Sequence, residues 1–248
     1  MNDATRDTTR APTREAPSHA ASHVDRPPAS ATPTDAAPMI LPALPDDARQ
    51  AWQALLASGQ RRLLGLVGPP GAGKSTLAAA LQAASPGLSQ VVPMDGFHLA
   101  QASLVRLGRA DRKGAPDTFD AAGFVALLQR LRRQPMDETV YAPEFRREIE
   151  EPVAGAIAVA PQTPLLIIEG NYLLLDDGPW AAVAGLLDEV WYVDVPPALR
   201  LQRLIARHER FGRSPEAARA WVMQTDEPNA RRIEASRPRA RRWIVWGD

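Results

Sequence analysis

Apolar and polar residues alternate along this chain on two different length scales, and the two mark strands and helices. Arg61 to Val67 is nearly all apolar, the pattern of a strand covered on both faces. Pro164 to Glu169 and Glu189 to Val195 repeat that pattern, and Ser89 to Met94 and Arg241 to Trp246 are shorter versions of it. Between these runs the apolar spacing lengthens to three and four residues. Trp52, Leu55 and Leu56 predict a helix from Asp46 to Ser58, stopped by Gly59. A second helix spans Gly73 to Ala84 and closes at Ser85-Pro86-Gly87. Phe124, Leu127, Leu128 and Leu131 predict a third, Ala121 to Arg133, with Asp120 as its N-cap.

Later elements follow the same alternation. Gly178 to Leu187 reads as a short helix around Trp180, and Pro197 to Phe211 as a longer one. Ser214-Pro215-Glu216 starts another, with serine as cap and proline at the first helical position, extending to about Glu234 with a break near Pro228. Two stretches are less regular: a basic, partly helical excursion from Leu99 to Ala115, and extended pieces from Thr139 to Ala160. Strands alternating with helices give an α/β fold with a mostly parallel sheet flanked by helices, in which ligands bind beyond the carboxyl ends of the strands.

Composition divides the 248 residues in two. Residues 1–45 hold no aromatic side chain and are dominated by Ala, Thr, Pro, Ser and Asp, so they are expected to be a disordered tail. Residues 46–248 suffice for one domain. The tail's arginines are interleaved with acids and no apolar segment follows them, which argues against a secretory signal. Cysteine is absent, which excludes disulfides and thiolate chemistry and fits a cytoplasmic location. A formal net charge of zero removes the footprint of a general nucleic-acid binder. No apolar run reaches the roughly 20 residues of a membrane helix, since Leu165 to Leu175 is broken by Glu169, Gly170 and Asn171. Neither nucleic acid nor membrane is therefore an expected partner.

The candidate chemistry sits directly after the first strand, in Gly68-Pro69-Pro70-Gly71-Ala72-Gly73-Lys74-Ser75-Thr76. This glycine loop between a strand and a helix cradles a polyphosphate with backbone N–H groups, aided by the positive end of the helix. Lys74 supplies a charge for the β and γ phosphates, and Ser75 a hydroxyl for the Mg²⁺ that accompanies ATP. Only two lysines, Lys74 and Lys113, occur among a large excess of arginines, so a chance match is improbable.

Three carboxylates stand at or after strand ends: Asp95, Asp117 and Glu169. In a parallel sheet such ends share one edge with the phosphate loop. Carboxylates there can hold a metal or accept a hydroxyl proton. Arg200, Arg203, Arg207 and Arg210 form one helical stripe. Arg200 and Arg210 are expected on a solvated face, and Arg203 and Arg207 on the phosphates.

Gly68 to Thr76, Met94-Asp95-Gly96-Phe97-His98, the run Arg112 to Asp120, Ile168-Glu169-Gly170-Asn171-Tyr172 and the Arg203/Arg207 helix resemble, in that order, the superfamily of uridine kinases, phosphoribulokinases and bacterial pantothenate kinases. Phe145 to Pro152 resembles its nucleoside/nucleotide kinase-like branch. The resemblance covers about Gln60 to Asp248 and implies the P-loop NTPase fold: a five-stranded parallel core with an arginine-bearing lid. It further implies an ATP- and Mg²⁺-dependent kinase that phosphorylates a hydroxyl of a small metabolite.

Within that resemblance Asp95, Lys74, Arg203 and Arg207 are the expected catalytic residues. Gly68, Gly71, Ala72, Gly73, Lys74, Ser75 and Thr76 hold the nucleotide, and Ser75, Glu169 and Asp95 the metal. His98, Asp117, Tyr141, Arg146 and Asn171 are expected to touch the acceptor, with Arg146 standing where uridine kinases have a histidine. Nucleoside, sugar and pantothenate-like acceptors all stay open, and so does a homodimer. Two other readings also remain at this stage: a P-loop NTPase acting on a protein partner, and a nucleotide-binding module without turnover.

Overall fold

The nearly unbroken apolar runs become the inner strands of one parallel sheet. The computed structural model describes residues 44–245. The tail expected over 1–45 therefore lies almost entirely outside the described residues, as does Trp246 at the end of the last expected strand. In chain order the described elements are α1 (Asp46–Leu56), β1 (Arg62–Val67), α2 (Lys74–Ala84), β2 (Ser89–Pro93), α3 (Gln101–Arg106), α4 (Ala121–Arg132), β3 (Val140–Arg146) and β4 (Glu151–Val159). They continue with β5 (Leu165–Gly170), β6 (Glu189–Asp194), α5 (Pro197–Arg210), α6 (Pro215–Trp221), α7 (Glu227–Ser236) and β7 (Arg242–Val245).

Five strands pair in the order β2-β5-β1-β6-β7, all parallel, as expected. Because successive side chains on a strand point to opposite faces, β1 divides its residues between two cores. Leu63 and Val67 join Phe124, Leu128, Ile168, Tyr172 and Trp180 on one face. Leu64 and Leu66 join Trp52, Leu77, Leu81, Ile167 and Trp191 on the other. Burial on both sides is why these strands lack a polar face. No helix among the described residues is long and apolar enough to cross a membrane.

Three local expectations change. The extended pieces from Thr139 to Ala160 form an antiparallel hairpin, β3 with β4, separate from the main sheet. Gly178 to Leu187 is two short 3-10 turns instead of one helix. The break expected near Pro228 is a π-turn at Val222–Asp226 in a helix that runs on into α7, and Pro228 follows directly in the first turn of α7. Ser214 caps α6 as expected, its side chain accepting from the Ala217 N–H.

Candidate active site

The phosphate loop leaves the carboxyl end of β1, at the centre of the sheet. Gly71 and Gly73 both have positive φ, 82° and 88°, the left-handed backbone that turns successive N–H groups inward. Close packing adds a second constraint: a Cβ on Gly68 would lie 2.7 Å from the Val193 carbonyl oxygen of β6. Ala72 is buried within the loop, and Lys74 to Thr76 form the first turn of α2.

Strand register then places the acids. Glu169 on β5 lies opposite Leu66 of β1 on one side and Pro93 of β2 on the other. It therefore stands beside the root of the phosphate loop, and Asp95 follows Pro93 by two residues in a short 3-10 turn, Met94–Phe97. Ser75 Oγ donates to Glu169 Oε1 at 3.1 Å. Lys74 is 8% exposed, with Nζ donating to the Pro69 carbonyl at 3.3 Å. Burial pushes the Lys74 ammonium down to about 8, against the opposing pull of Glu169 and Asp95. Burial, reinforced by the charge of Asp95, raises Glu169 above the ordinary carboxyl range.

These residues share one cavity of about 710 Å³. Of the expected site residues, Gly71, Gly73, Lys74, Ser75, Thr76, Asp95, His98, Glu169, Asn171, Arg203 and Arg207 line it. Arg207 is held below its ordinary value first by burial and then by Arg147. The neighbouring Arg200 departs from expectation: it is 2% exposed and ion-paired with Glu227 of α7. Its helix packs under the loop, since a Cβ on Gly71 would fall 2.8 Å from the Arg200 carbonyl. Arg210 is exposed, as expected.

Three expected acceptor contacts lie elsewhere. Asp117 is held by Arg112 at 2.8 Å and Arg109 at 3.4 Å, and the Arg112 hydrogen bond keeps its carboxyl below the usual range. Tyr141 is an exposed position on β3 opposite Ala158. Arg146 is exposed and pairs with Glu144 at 3.5 Å. None of the three lines the cavity.

The hairpin sends the next residue instead. Arg147 lines the cavity and donates from Nη2 to Asp95 Oδ2 at 3.3 Å. Phe145, also in the lining, stacks on His98 at 4.5 Å, and His98 stacks on Phe119 at 4.0 Å. His98 Nδ1 bonds the Asp95 carbonyl oxygen at 2.7 Å, and burial lowers the pKa of the ring against the opposing pull of Asp95. Arg147 escaped the sequence reading because it follows the end of β3, where the two-residue period no longer says which way a side chain points. Its neighbour to a phenylalanine in an Arg-Arg pair was the available signal.

The donor set fits a hard divalent cation. Glu169 and Asp95 are close enough to interact electrostatically, and the Ser75 hydroxyl already contacts Glu169. Among the described residues no cluster of three or more acids and histidines forms a complete metal cage. Mg²⁺ typically takes one or two carboxylates and completes its shell with water and substrate phosphates, so the incomplete cage suits it.

Comparison with family models finds no match. An Aspergillus versicolor protein named ATP-dependent kinase-like protein notR' is 39% identical over 152 residues, 58% of this chain and 88% of the relative. A Schizosaccharomyces pombe protein provisionally named a uridine kinase is 40% identical over 163 residues, 62% of this chain and 69% of the relative. A crystal structure from Silicibacter sp. TM1040, provisionally described as a fructose transport system kinase, superposes with a TM-score of 0.71 at 40% identity, covering 80% of this chain and 98% of that one. With its phosphate loop and these relatives, the chain belongs to the P-loop family of uridine kinase-like, ATP-dependent kinases.

Proposed function

We propose that the protein transfers the γ-phosphoryl group of ATP to a hydroxyl of a small metabolite of the nucleoside, sugar or pantothenate-like class. The observation that carries this reading is the Asp95 carboxylate, which shares one cavity with the phosphate loop and with Arg147 from the hairpin. A hydrolase needs only to position water. A carboxylate in a cavity walled partly by a separate hairpin is suited to a bulkier acceptor.

In this reading the loop amides and Lys74 hold the triphosphate, and Ser75, Glu169 and Asp95 would hold Mg²⁺, which neutralises charge on the β and γ phosphates. Asp95 accepts the hydroxyl proton as the acceptor oxygen bonds to the γ phosphorus. The bond from that phosphorus to the ADP oxygen breaks, and ADP leaves. Arg203 and Arg207 stabilise the charge that spreads over the transferring oxygens. His98, packed between the rings of Phe119 and Phe145, forms a wall for the acceptor, and Asn171 lines the same cavity.

ADP release from Mg-ATP across nucleosides, sugars and pantothenate, with Asp95→Asn as control, tests the proposal. Acceptor-stimulated release in the wild type alone is the expected result. Equal release with and without every acceptor would replace the kinase by an NTPase.

A further inference from the structure

Both lysines of this arginine-rich chain line the same cavity. Lys74 belongs to the phosphate loop. Lys113 comes from the loop after α3 and stands 5.5 Å from the centroid of the Phe145 ring. Arg147 stands 5.9 Å from the same centroid. Lys113 donates to the backbone oxygen of Glu150 and not to a carboxylate. Arg147 has Asp95 as its ion-pair partner.

We propose that Lys113 and Arg147 form an oxyanion subsite on the acceptor side, so that the phosphorylated hydroxyl belongs to a small molecule that also carries a carboxylate or phosphate group. This rests on the kinase reading above. The kinase reading gives Lys74, Arg203 and Arg207 to the triphosphate, so Lys113 adds positive charge beyond theirs, and Arg147 offers the part of its guanidinium that its ion pair with Asp95 leaves over. Arg147 also lies within electrostatic range of Lys74 and Arg207, whose charged forms it disfavours. An anion between these cations relieves that repulsion. The aromatic wall strengthens the case. Phe145 and His98 exclude water from one side of the subsite, and a charge-assisted hydrogen bond gains strength as solvent is excluded. Lys113 and Arg147 both disfavour protonation of His98, which places the two charges on the same part of the cavity.

The test uses matched acceptors that differ only in charge: erythritol against erythronate, and ribose against ribose 5-phosphate. At least one anionic member is expected to exceed its neutral partner in kcat/KM by about tenfold or more, the usual worth of a charged hydrogen bond. Which pair shows the difference tells carboxylate from phosphate. Lys113→Met and Arg147→Gln should each raise the KM of that anionic member by about tenfold while the Kd of Mg-ADP stays within about twofold. Equal turnover of neutral and anionic members overturns the subsite and leaves the kinase intact. A rise in the Mg-ADP Kd as large as the rise in KM also overturns it, by moving Arg147 to the nucleotide. Release no higher than the Asp95→Asn control with every compound overturns the kinase reading, and the subsite with it.

Discussion

Arg147 donates to the Asp95 carboxylate across 3.3 Å, joining two residues 52 positions apart in the chain. One belongs to the turn after a strand of the parallel sheet, the other to the tip of a separate hairpin. The contact makes the hairpin part of the site. It orients a carboxylate that would otherwise stand at the mouth of an open sheet edge.

Asp95→Asn is expected to lower kcat by about a hundredfold or more while Mg-ATP remains bound, because a positioned general base contributes roughly 10² to 10⁴ in rate. Steady-state kinetics combined with titration of Mg-ATP checks this. Turnover at the wild-type level would remove Asp95 from the base role.

Lys74 is expected to make ATP binding pH-dependent. With its pKa pushed down to about 8 by burial, the amine in the ligand-free site loses its proton as pH rises through that value. A bound triphosphate favours the charged form, so ATP binding above this pH draws a proton from the buffer. Calorimetric titrations at alkaline pH in buffers of different ionisation enthalpy should show that uptake, and Lys74→Met should abolish it. Stability follows the same sign. The folded pKa lies below the unfolded one, so the cost of burying the charge is fully present below about pH 8 and fades as pH rises from there toward the ordinary lysine value of 10.5.

Gly96 is where the hairpin rests on the turn that carries Asp95. A Cβ there would lie 2.2 Å from the Pro143 carbonyl oxygen and 3.1 Å from the Glu144 nitrogen, both backbone atoms of β3 that cannot swing aside. Gly96→Ala is therefore expected to displace the hairpin, cost about 1–3 kcal/mol and reduce turnover more than it weakens Mg-ATP binding. Hydrogen exchange should accelerate across β3. Unchanged exchange and kinetics would mean that the hairpin does not depend on this contact.

The Arg200–Glu227 pair ties the helix beneath the phosphate loop to α7, with both side chains largely buried and the second Arg200 terminal nitrogen, Nη1, buried without a partner. Glu227→Gln leaves that guanidinium charge without its counter-charge and should cost about 3–5 kcal/mol, lowering Tm by roughly 10 °C. Arg200→Met combined with Glu227→Leu should recover most of the loss. Thermal melts of the wild type, Glu227→Gln and the double variant decide it, and a double variant no more stable than Glu227→Gln would show that the lost counter-charge is not the cause.

Much of this architecture was legible because the informative patterns are local. An apolar run such as Leu165 to Ile168 can satisfy its side chains only inside a two-sided sheet, and the glycine loop after β1 carries its own backbone requirements at Gly71 and Gly73. Glu169 could be assigned to the same edge as the loop because parallel strands share a direction. The hairpin side of the cavity was less legible. Tyr141 and Arg146 stand out by their spacing in a resemblance, yet a register shift in the hairpin between Ala142 and Glu144 changes which side chains share a face, and Phe145 and Arg147 line the cavity instead. Asp117 has the right chemistry, but two arginines of its own loop hold it.

By itself the sequence determined the strand-loop-helix unit, the parallel sheet and the sheet edge that Lys74, Ser75 and Glu169 share, since backbone φ, apolar period and strand direction are properties of contiguous residues. Only the tertiary structure decided that Arg200 is buried, that Arg147 meets Asp95, and that Lys113 joins them around Phe145. Those relations depend on how a hairpin and two loops pack against the sheet edge, and packing between distant segments leaves no periodic trace in the chain.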